Sequence, residues 1–328
     1  MSRPPIAVLR EDLETHPALR AWRNFRLLED APERIEVLRQ HGVVGVYRLV
    51  GAGGGGESVI AKRTPAAKAS LERTVYEAVL PHVPVTTPKF YGALTAGESE
   101  THAWFFLEDV GAERYSDTDP EHLALTARWI ARVHGAAADL PAARSLPDGG
   151  PGRYREHMMS ARDKIGKRLS GPELTPADVK QLQAVLDGLQ RLESDWSLIE
   201  SRCVGLPSTL VHGDFRPKNV YLRPNGAGLA CYPIDWETAG WGVPAADLTR
   251  IDLATYWSVA REWRECLSLD TVHRLANVGQ VFRTLAAIDW ESASLRFDTR
   301  RMISQPLASL AVLLPRLIDA VRMTGVPA

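Results

Sequence analysis

Asp214, Asn219 and Asp235 are the residues of this sequence whose types and spacing best suit chemistry. They stand in Leu210-Val211-His212-Gly213-Asp214-Phe215-Arg216-Pro217-Lys218-Asn219-Val220-Tyr221-Leu222 and in Pro233-Ile234-Asp235-Trp236-Glu237. Both stretches read as short apolar strands with polar residues at their ends. Charges flanked by aliphatic strand residues are costly to bury unless they are paired or hold something. A carboxylate at 214 can orient or deprotonate an attacking hydroxyl. The amide oxygen of Asn219 and the carboxylate of Asp235 are oxygen donors of the kind a hard cation such as Mg2+ takes. His212 is expected to orient the loop by hydrogen bonds and not to react. Asp247, in Ala246-Asp247-Leu248, is placed to accept backbone N–H bonds from that loop.

A cation-bound phosphate ligand also needs a positive side chain on its phosphates. Lys62 ends the apolar stretch Ser58-Val59-Ile60-Ala61-Lys62, and a helical stretch over 66–80 follows with Glu72 and Glu77. A strand lysine followed by a helix glutamate is the ion-pair arrangement that positions a lysine against nucleotide phosphates. Glu72 is the preferred partner, one turn before Tyr76 on the same side; Glu77 is the alternative. Two glycine segments compete for the flap over the phosphates. The run Gly51–Gly56 is followed by a strand and by no Gly-Lys-Ser/Thr, so it is no Walker loop and reads as a floppy hairpin tip. The shorter turn bounded by Gly42 and Gly45, one strand earlier, is the better flap. The strand Ala103–Leu107 runs into Glu108-Asp109-Val110-Gly111, a hinge at which backbone groups of Glu108 and Val110 would hold adenine.

The elements that must position these groups change character along the chain. Arg34–Leu38, Val46–Val50 and Ser58–Lys62 read as strands, the first with alternating polar and apolar residues. Beyond the hinge the pattern is helical. The stretch 120–140 carries Leu123, Leu125, Ile130 and Val133 on one face, and His134 near its end reads as a packed core histidine. Residues 141–153, rich in Pro and Gly, read as an exposed loop. Thr175-Pro176-Ala177-Asp178 is a helix start, ahead of a stripe through Leu182, Val185, Leu189 and Leu192. After Asp247 the chain reads as helical to its end. In residues 1–30, Trp22, Phe25, Leu27 and Leu28 suggest a short helix packed on the following lobe.

Composition narrows the partners. The 328 residues include 45% hydrophobic and 24% charged, with a formal net charge of −1, so there is no basic excess to bind nucleic acid. No run of about 18 apolar residues suggests a membrane span. Three scattered cysteines read as reduced thiols and point to a cytoplasmic protein. Monomer and homodimer are both compatible with the sequence.

His212-x-Asp214-x4-Asn219, followed by Ile234-Asp235-Trp236-Glu237 and Asp247-Leu248, resembles the aminoglycoside phosphotransferase/choline kinase-like family. The resemblance covers roughly residues 34–290 and is strongest over the catalytic loop and the metal strand. It implies an α+β, bilobal, protein-kinase-like fold. Residues 1–30 would be an N-terminal extension and 31–110 a small antiparallel β-sheet lobe with its hinge at about 107–111. Residues 111–328 would form a larger, mainly helical lobe. ATP or GTP with Mg2+ would be the cofactors, Asp214 the catalytic base, Asn219 and Asp235 the metal ligands, and Lys62 the phosphate contact. The departures matter as much. This chain has His212-Gly213-Asp214 where protein kinases have His-Arg-Asp, and Asp235-Trp236-Glu237 where they have Asp-Phe-Gly. Only eleven residues separate Asp235 from Asp247, too few for a long activation segment. A small hydroxylated molecule, such as an antibiotic, a sugar or an amino alcohol, is therefore expected in place of a protein. Between Glu237 and Ala328 ten acidic residues face ten basic ones, a balance that weighs against a strongly cationic acceptor. A catalytically inactive nucleotide-binding module and a metal-dependent hydrolase are the competing readings. The first has no need of Asp214; the second explains neither Lys62 nor Asn219.

Overall fold

The computed structural model describes residues 5–26, 32–95, 101–111, 113–226, 228–297 and 299–327; Leu27 and Leu28 fall outside these ranges. In chain order the elements begin β1 (Ala7–Leu9), α1 (Pro17–Arg26), β2 (Arg34–His41), β3 (Val44–Val50), β4 (Val59–Pro65) and α2 (Ala66–Thr74). There follow β5 (Phe90–Thr95), β6 (His102–Glu108), α3 (Pro120–Ala137), α4 (Pro141–Arg144), α5 (Pro151–Arg168), α6 (Pro176–Ser194) and α7 (Trp196–Ser201). The last group is β7 (Thr209–Val211), β8 (Val220–Asn225), β9 (Gly228–Pro233), β10 (Gly240–Gly242), α8 (Leu253–Ala260), α9 (Leu269–Ala293) and α10 (Arg300–Met323). The chain forms two compact units. One holds Met1–Trp129 with Phe215–Ala239, the other Ile130–Asp214 with Gly240–Ala328.

The first unit is built on a six-stranded antiparallel sheet in the order β1-β2-β3-β4-β6-β5. Strand period decides which side chains reach its core. Ile35, Leu49, Val59 and Ala61 are fully buried with Leu19 and Trp22 of α1. The ring of Trp22 lies 5.1 Å from that of Phe106, and its Nε1 donates to the carbonyl of Ala52 at 3.0 Å. The short helix expected in residues 1–30 is α1, which covers a face of this sheet, and β1 adds an edge strand that was not expected. That bond also anchors the base of the glycine run, leaving only residues 54–57 exposed. The alternation expected over Arg34–Leu38 breaks at Glu36, which is buried. Arg34 and Arg48 reach it at 2.9 and 2.7 Å, which satisfies the carboxylate that burial would otherwise penalise.

The second unit is helical, with α9 packed between α5 and α10 and with the segment Pro244–Leu248 against it. Gly279 permits that last contact, because a Cβ there would run into the carbonyl oxygen of Ala245. Tyr154 of α5 stacks on Phe282 of α9, with centroids 4.2 Å apart. The capping box at Thr175 is present: its hydroxyl accepts the N–H of Asp178, whose carboxylate accepts the N–H of Thr175 at 2.8 Å. Residues 141–153 differ from the exposed loop expected. They contain α4 and the start of α5, with Ala143 and Leu146 buried. Pro141 and Pro151 each open a helix at its first turn, where the missing N–H costs nothing. Cys203, Cys231 and Cys266 are free thiols, respectively half-buried, buried and exposed. Among the described residues no helix is long and apolar enough to cross a membrane.

Candidate active site

Lys62 lies on β4 between Val46 of β3 and Phe105 of β6. Its neighbour Ala61 points into the core under α1, so the period of two turns Lys62 to the opposite face. There its Nζ lies 2.9 Å from Oε2 of Glu72, 2.6 Å from Oδ1 of Asp235 and 3.8 Å from Oε2 of Glu237. The other oxygen of Glu72 accepts the backbone N–H of Trp236 at 3.2 Å. Glu77 points elsewhere and pairs with Arg73 at 2.8 Å. Burial alone would drive Lys62 toward neutrality, but the charges of Glu72, Asp235 and Glu237 outweigh it and hold the ammonium protonated far above the usual range. Burial raises the carboxyl of Glu72, opposed by Lys62 and reinforced by Asp235. Three carboxylates thus crowd one ammonium, with Lys68 adding a second cation 2.8 Å from Glu237.

Asn219 closes a short helical turn begun by Pro217, then β8 pairs with β9. The register sets Val220 opposite Pro233, and the carbonyl of Asn219 accepts the N–H of Ile234 at 2.9 Å. The hairpin therefore brings Asn219 and Asp235, sixteen residues apart, to the same end. Asp235 has φ 69° and ψ 57°. It is one of two non-glycine residues with positive φ among those described. Such strain concentrates at functional sites, and Asp tolerates it better than most residues. The donor set fits Mg2+: hard oxygens, beside an excess of carboxylate charge, and few enough for phosphates to complete the shell. Among the described residues no three His, Cys, Asp or Glu side chains form a closed metal centre.

The segment 108–111, expected to be a hinge, is pinned from two sides. Glu108 holds Arg223 of β8 at 2.6 Å, and Asp109 holds Arg48 of β3 at 2.7 Å. The N–H of Glu108 is given to the carbonyl of Lys89 at 2.8 Å, so any backbone contact of Glu108 with a base falls to its carbonyl. Val110 is buried against Ala230 and Tyr232. Gly42 sits in the β2–β3 turn at φ 57°, and Gly45 lies on β3 opposite Gln40. A Cβ at Gly45 would overlap the ring of Tyr47.

Asp214 belongs to the second unit, on the loop after β7. Asp247 is fully buried there and accepts the N–H of His212 at 2.7 Å and of Gly213 at 2.9 Å. Gly213 has φ 76°, which explains a glycine between the histidine and the aspartate. Asp247 also lies 3.3 Å from Nε2 of His134, whose Nδ1 is 3.0 Å from the hydroxyl of Tyr256. Burial would raise the carboxyl of Asp247, yet the bond and charge of His134 and the charge of His212 hold it below the ordinary range. Nδ1 of His212 accepts the N–H of Asp214 at 3.3 Å, so this histidine shapes the loop. Arg283 of α9 donates to the carbonyl of Gly213 and to Oδ1 of Asp214. Sequence reasoning missed Arg283. The sole signal was an arginine between the buried positions Phe282 and Leu285.

An antiparallel sheet unit with a strand lysine bound to a helix glutamate, and a helical unit with the His-x-Asp loop, define a protein-kinase-like fold. The phosphotransferase enzyme family matches residues 38–276, and the chain belongs to that family. It is thus a small-molecule phosphotransferase related to the aminoglycoside phosphotransferases. Solved structures show the same fold. The GDP complex of wild-type aminoglycoside 2'-phosphotransferase-IIIa is 15% identical with TM-score 0.61, covering 92% of this chain and 99% of that one. A microcompartment-associated aminopropanol kinase is 12% identical with TM-score 0.60, covering 93% and 98%. Plasmodium vivax ethanolamine kinase is 14% identical with TM-score 0.56, covering 91% and 87%. No curated protein sequence matches the chain.

Proposed function

We propose that this protein transfers the γ-phosphoryl group of ATP, or of GTP, to a hydroxyl of a small hydroxylated natural product such as an antibiotic. The contact of Lys62 with both Glu72 and Asp235 carries this reading, because a phosphate-binding lysine needs a buried anion to hold it and a metal ligand beside it. Asn219 and Asp235 would hold Mg2+, which supplies charge neutralisation on the phosphates. Lys62 contacts the phosphates, and the backbone of Glu108 and Val110 borders the base. The turn of Gly42 and Gly45 is the flap. Asp214 takes the proton of the acceptor hydroxyl, and Asp247, through His212 and Gly213, fixes where that carboxylate stands. The three free thiols suit a reducing cytoplasm.

A second reading keeps the reaction and changes the acceptor to a primary metabolite. The chain's structural similarity to an aminopropanol kinase and an ethanolamine kinase favours it. Both readings are tested by following ATP consumption against hydroxylated antibiotics, sugars and amino alcohols, with NMR of the product to place the phosphate. Asp214→Asn is expected to bind nucleotide normally and to lose on the order of 10²-fold or more in turnover. Near-full activity in that variant removes Asp214 from the base role. Nucleotide binding with no turnover on any acceptor would favour an inactive binding module.

A further inference from the structure

Within the second unit, the carboxylate proposed to receive the acceptor's proton is covered. Arg283 bonds Oδ1 of Asp214 and the carbonyl of Gly213, with side-chain exposures of 12% for Arg283 and 6% for Asp214. A general base must lie within hydrogen-bond reach of the proton it takes. With a guanidinium on that oxygen, the acceptor hydroxyl has to compete for the atom that would accept its proton. A buried guanidinium leaves a carboxylate readily only for another anion, since a buried charge left unpaired is heavily penalised.

The surroundings name the anion's source. Arg283 also lies over the ring of Trp290, 5.5 Å from its centroid, and Trp290 is 37% exposed. The guanidinium therefore has a platform at its solvent side. The nearby acidic residue of α9, Asp289, is already committed, to His157 at 2.8 Å and Lys164 at 2.7 Å. Asp247 is committed to His134 and two backbone N–H groups. Both of these carboxylates are therefore engaged within the protein. Burial pushes the hydroxyl of Tyr154 up to about 12, with Arg283 and Arg153 pulling it down and Asp247 and Asp214 acting the other way.

We propose that Arg283 is a specificity-determining residue that pairs with an oxyanion of the acceptor, a carboxylate or phosphate ester adjacent to the reacting hydroxyl, and thereby releases Asp214 to act as base. The inference rests on the phosphotransferase reading above. In the reaction the acceptor O–H bond breaks with its proton going to Asp214. The acceptor oxygen bonds the γ-phosphorus, and the bond from that phosphorus to the bridging oxygen breaks with its electron pair leaving on ADP. The guanidinium meanwhile balances the acceptor's negative charge.

Four acceptors sharing one hydroxyl frame test this: glycerate, glycerol 3-phosphate, neutral glycerol and cationic serinol. Turnover with Mg2+ and ATP is followed by ADP release and 31P NMR. The expected result is that glycerate or glycerol 3-phosphate exceeds glycerol and serinol in kcat/KM by on the order of tenfold or more. Whichever of the two leads identifies the oxyanion. Arg283→Met, checked for folding by its melting curve, should abolish that preference through KM, and Arg283→Lys should restore part of it. A preference for glycerol or serinol, or one that Arg283→Met leaves unchanged, overturns the proposal.

Binding supplies a second readout that needs no turnover. Withdrawal of the guanidinium from Trp290 should give a saturable change in tryptophan emission on titration with glycerate or glycerol 3-phosphate. That change should be absent in Trp290→Phe. No saturable change with either anion overturns the proposal even where no acceptor turns over. Absence of nucleotide binding by calorimetry, by contrast, sinks the phosphotransferase reading itself.

Discussion

Nζ of Lys62 lies 2.6 Å from Oδ1 of Asp235, a contact between residues 173 positions apart, while Glu72 holds the same ammonium at 2.9 Å. The lysine is the positive centre of a cluster of three carboxylates, and removing it leaves them facing one another.

Lys62→Met should therefore reduce both stability and activity. Breaking a buried ion pair costs about 3–5 kcal/mol when one partner remains. A loss of on the order of 10²-fold or more in kcat/KM is expected from removing the cation proposed to contact the phosphates. Glu72→Gln should be milder, because its amide oxygen can still accept from Lys62. Thermal melts and steady-state kinetics of the two variants check this ordering; equal effects would show that Glu72 acts through its charge.

Asp235→Ala should remove the Mg2+ dependence of nucleotide affinity. Calorimetric titration of ATP with and without Mg2+ reads this directly, and an unchanged difference between the two conditions would exclude Asp235 as a metal ligand. The left-handed backbone at Asp235 gives a control, since Asp235→Asn preserves a residue that tolerates φ 69°.

Asp247→Asn should destabilise the protein by about 1–3 kcal/mol, the cost of weakening buried hydrogen bonds. Its pH dependence has a defined sign. The folded-state carboxyl lies below its unfolded value near 3.8, so its stabilisation is present above that pH and is lost as pH falls through the folded value. Wild type and variant should differ most near neutrality and converge in acid. Urea unfolding at a series of pH values tests this, and a gap that widens below pH 4 contradicts the assignment.

Gly279→Ala adds one methyl where α9 meets the carbonyl of Ala245. Overpacking of this kind costs about 1–3 kcal/mol. Because Asp247 lies two residues beyond Ala245, turnover should fall more than a global loss of stability explains. Equal loss of melting temperature in Gly166→Ala, whose glycine has open space around it, would remove that interpretation.

The residues proposed for the chemistry could be picked out because they stand at fixed spacing. Asp214, Asn219 and Asp235 lie at the ends of apolar runs, and charge at a strand end has few meanings. Lys62 was legible only with Glu72, since a strand-end lysine alone usually reaches solvent. Arg283 was not legible: it is 69 residues from Asp214, one of several arginines in the helical region, and its partner is set by how α9 packs. His134 was legible as a packed histidine but not as the link from Asp247 to Tyr256. In the fold, β1 has three residues and no periodicity to detect. The Pro- and Gly-rich composition of 141–153 hid two helix starts, because proline marks both a loop and the first turn of a helix.

The three cysteines described with the fold give the protein a built-in chemical handle. Burial raises the thiol of Cys231 well above its ordinary range and that of Cys203 up to about 12, so neither offers much thiolate. Cys266 is exposed, in the segment between α8 and α9. A maleimide dye added at neutral pH should attach there first, marking the unit that carries Asp214 and Arg283 without any substitution in the chain.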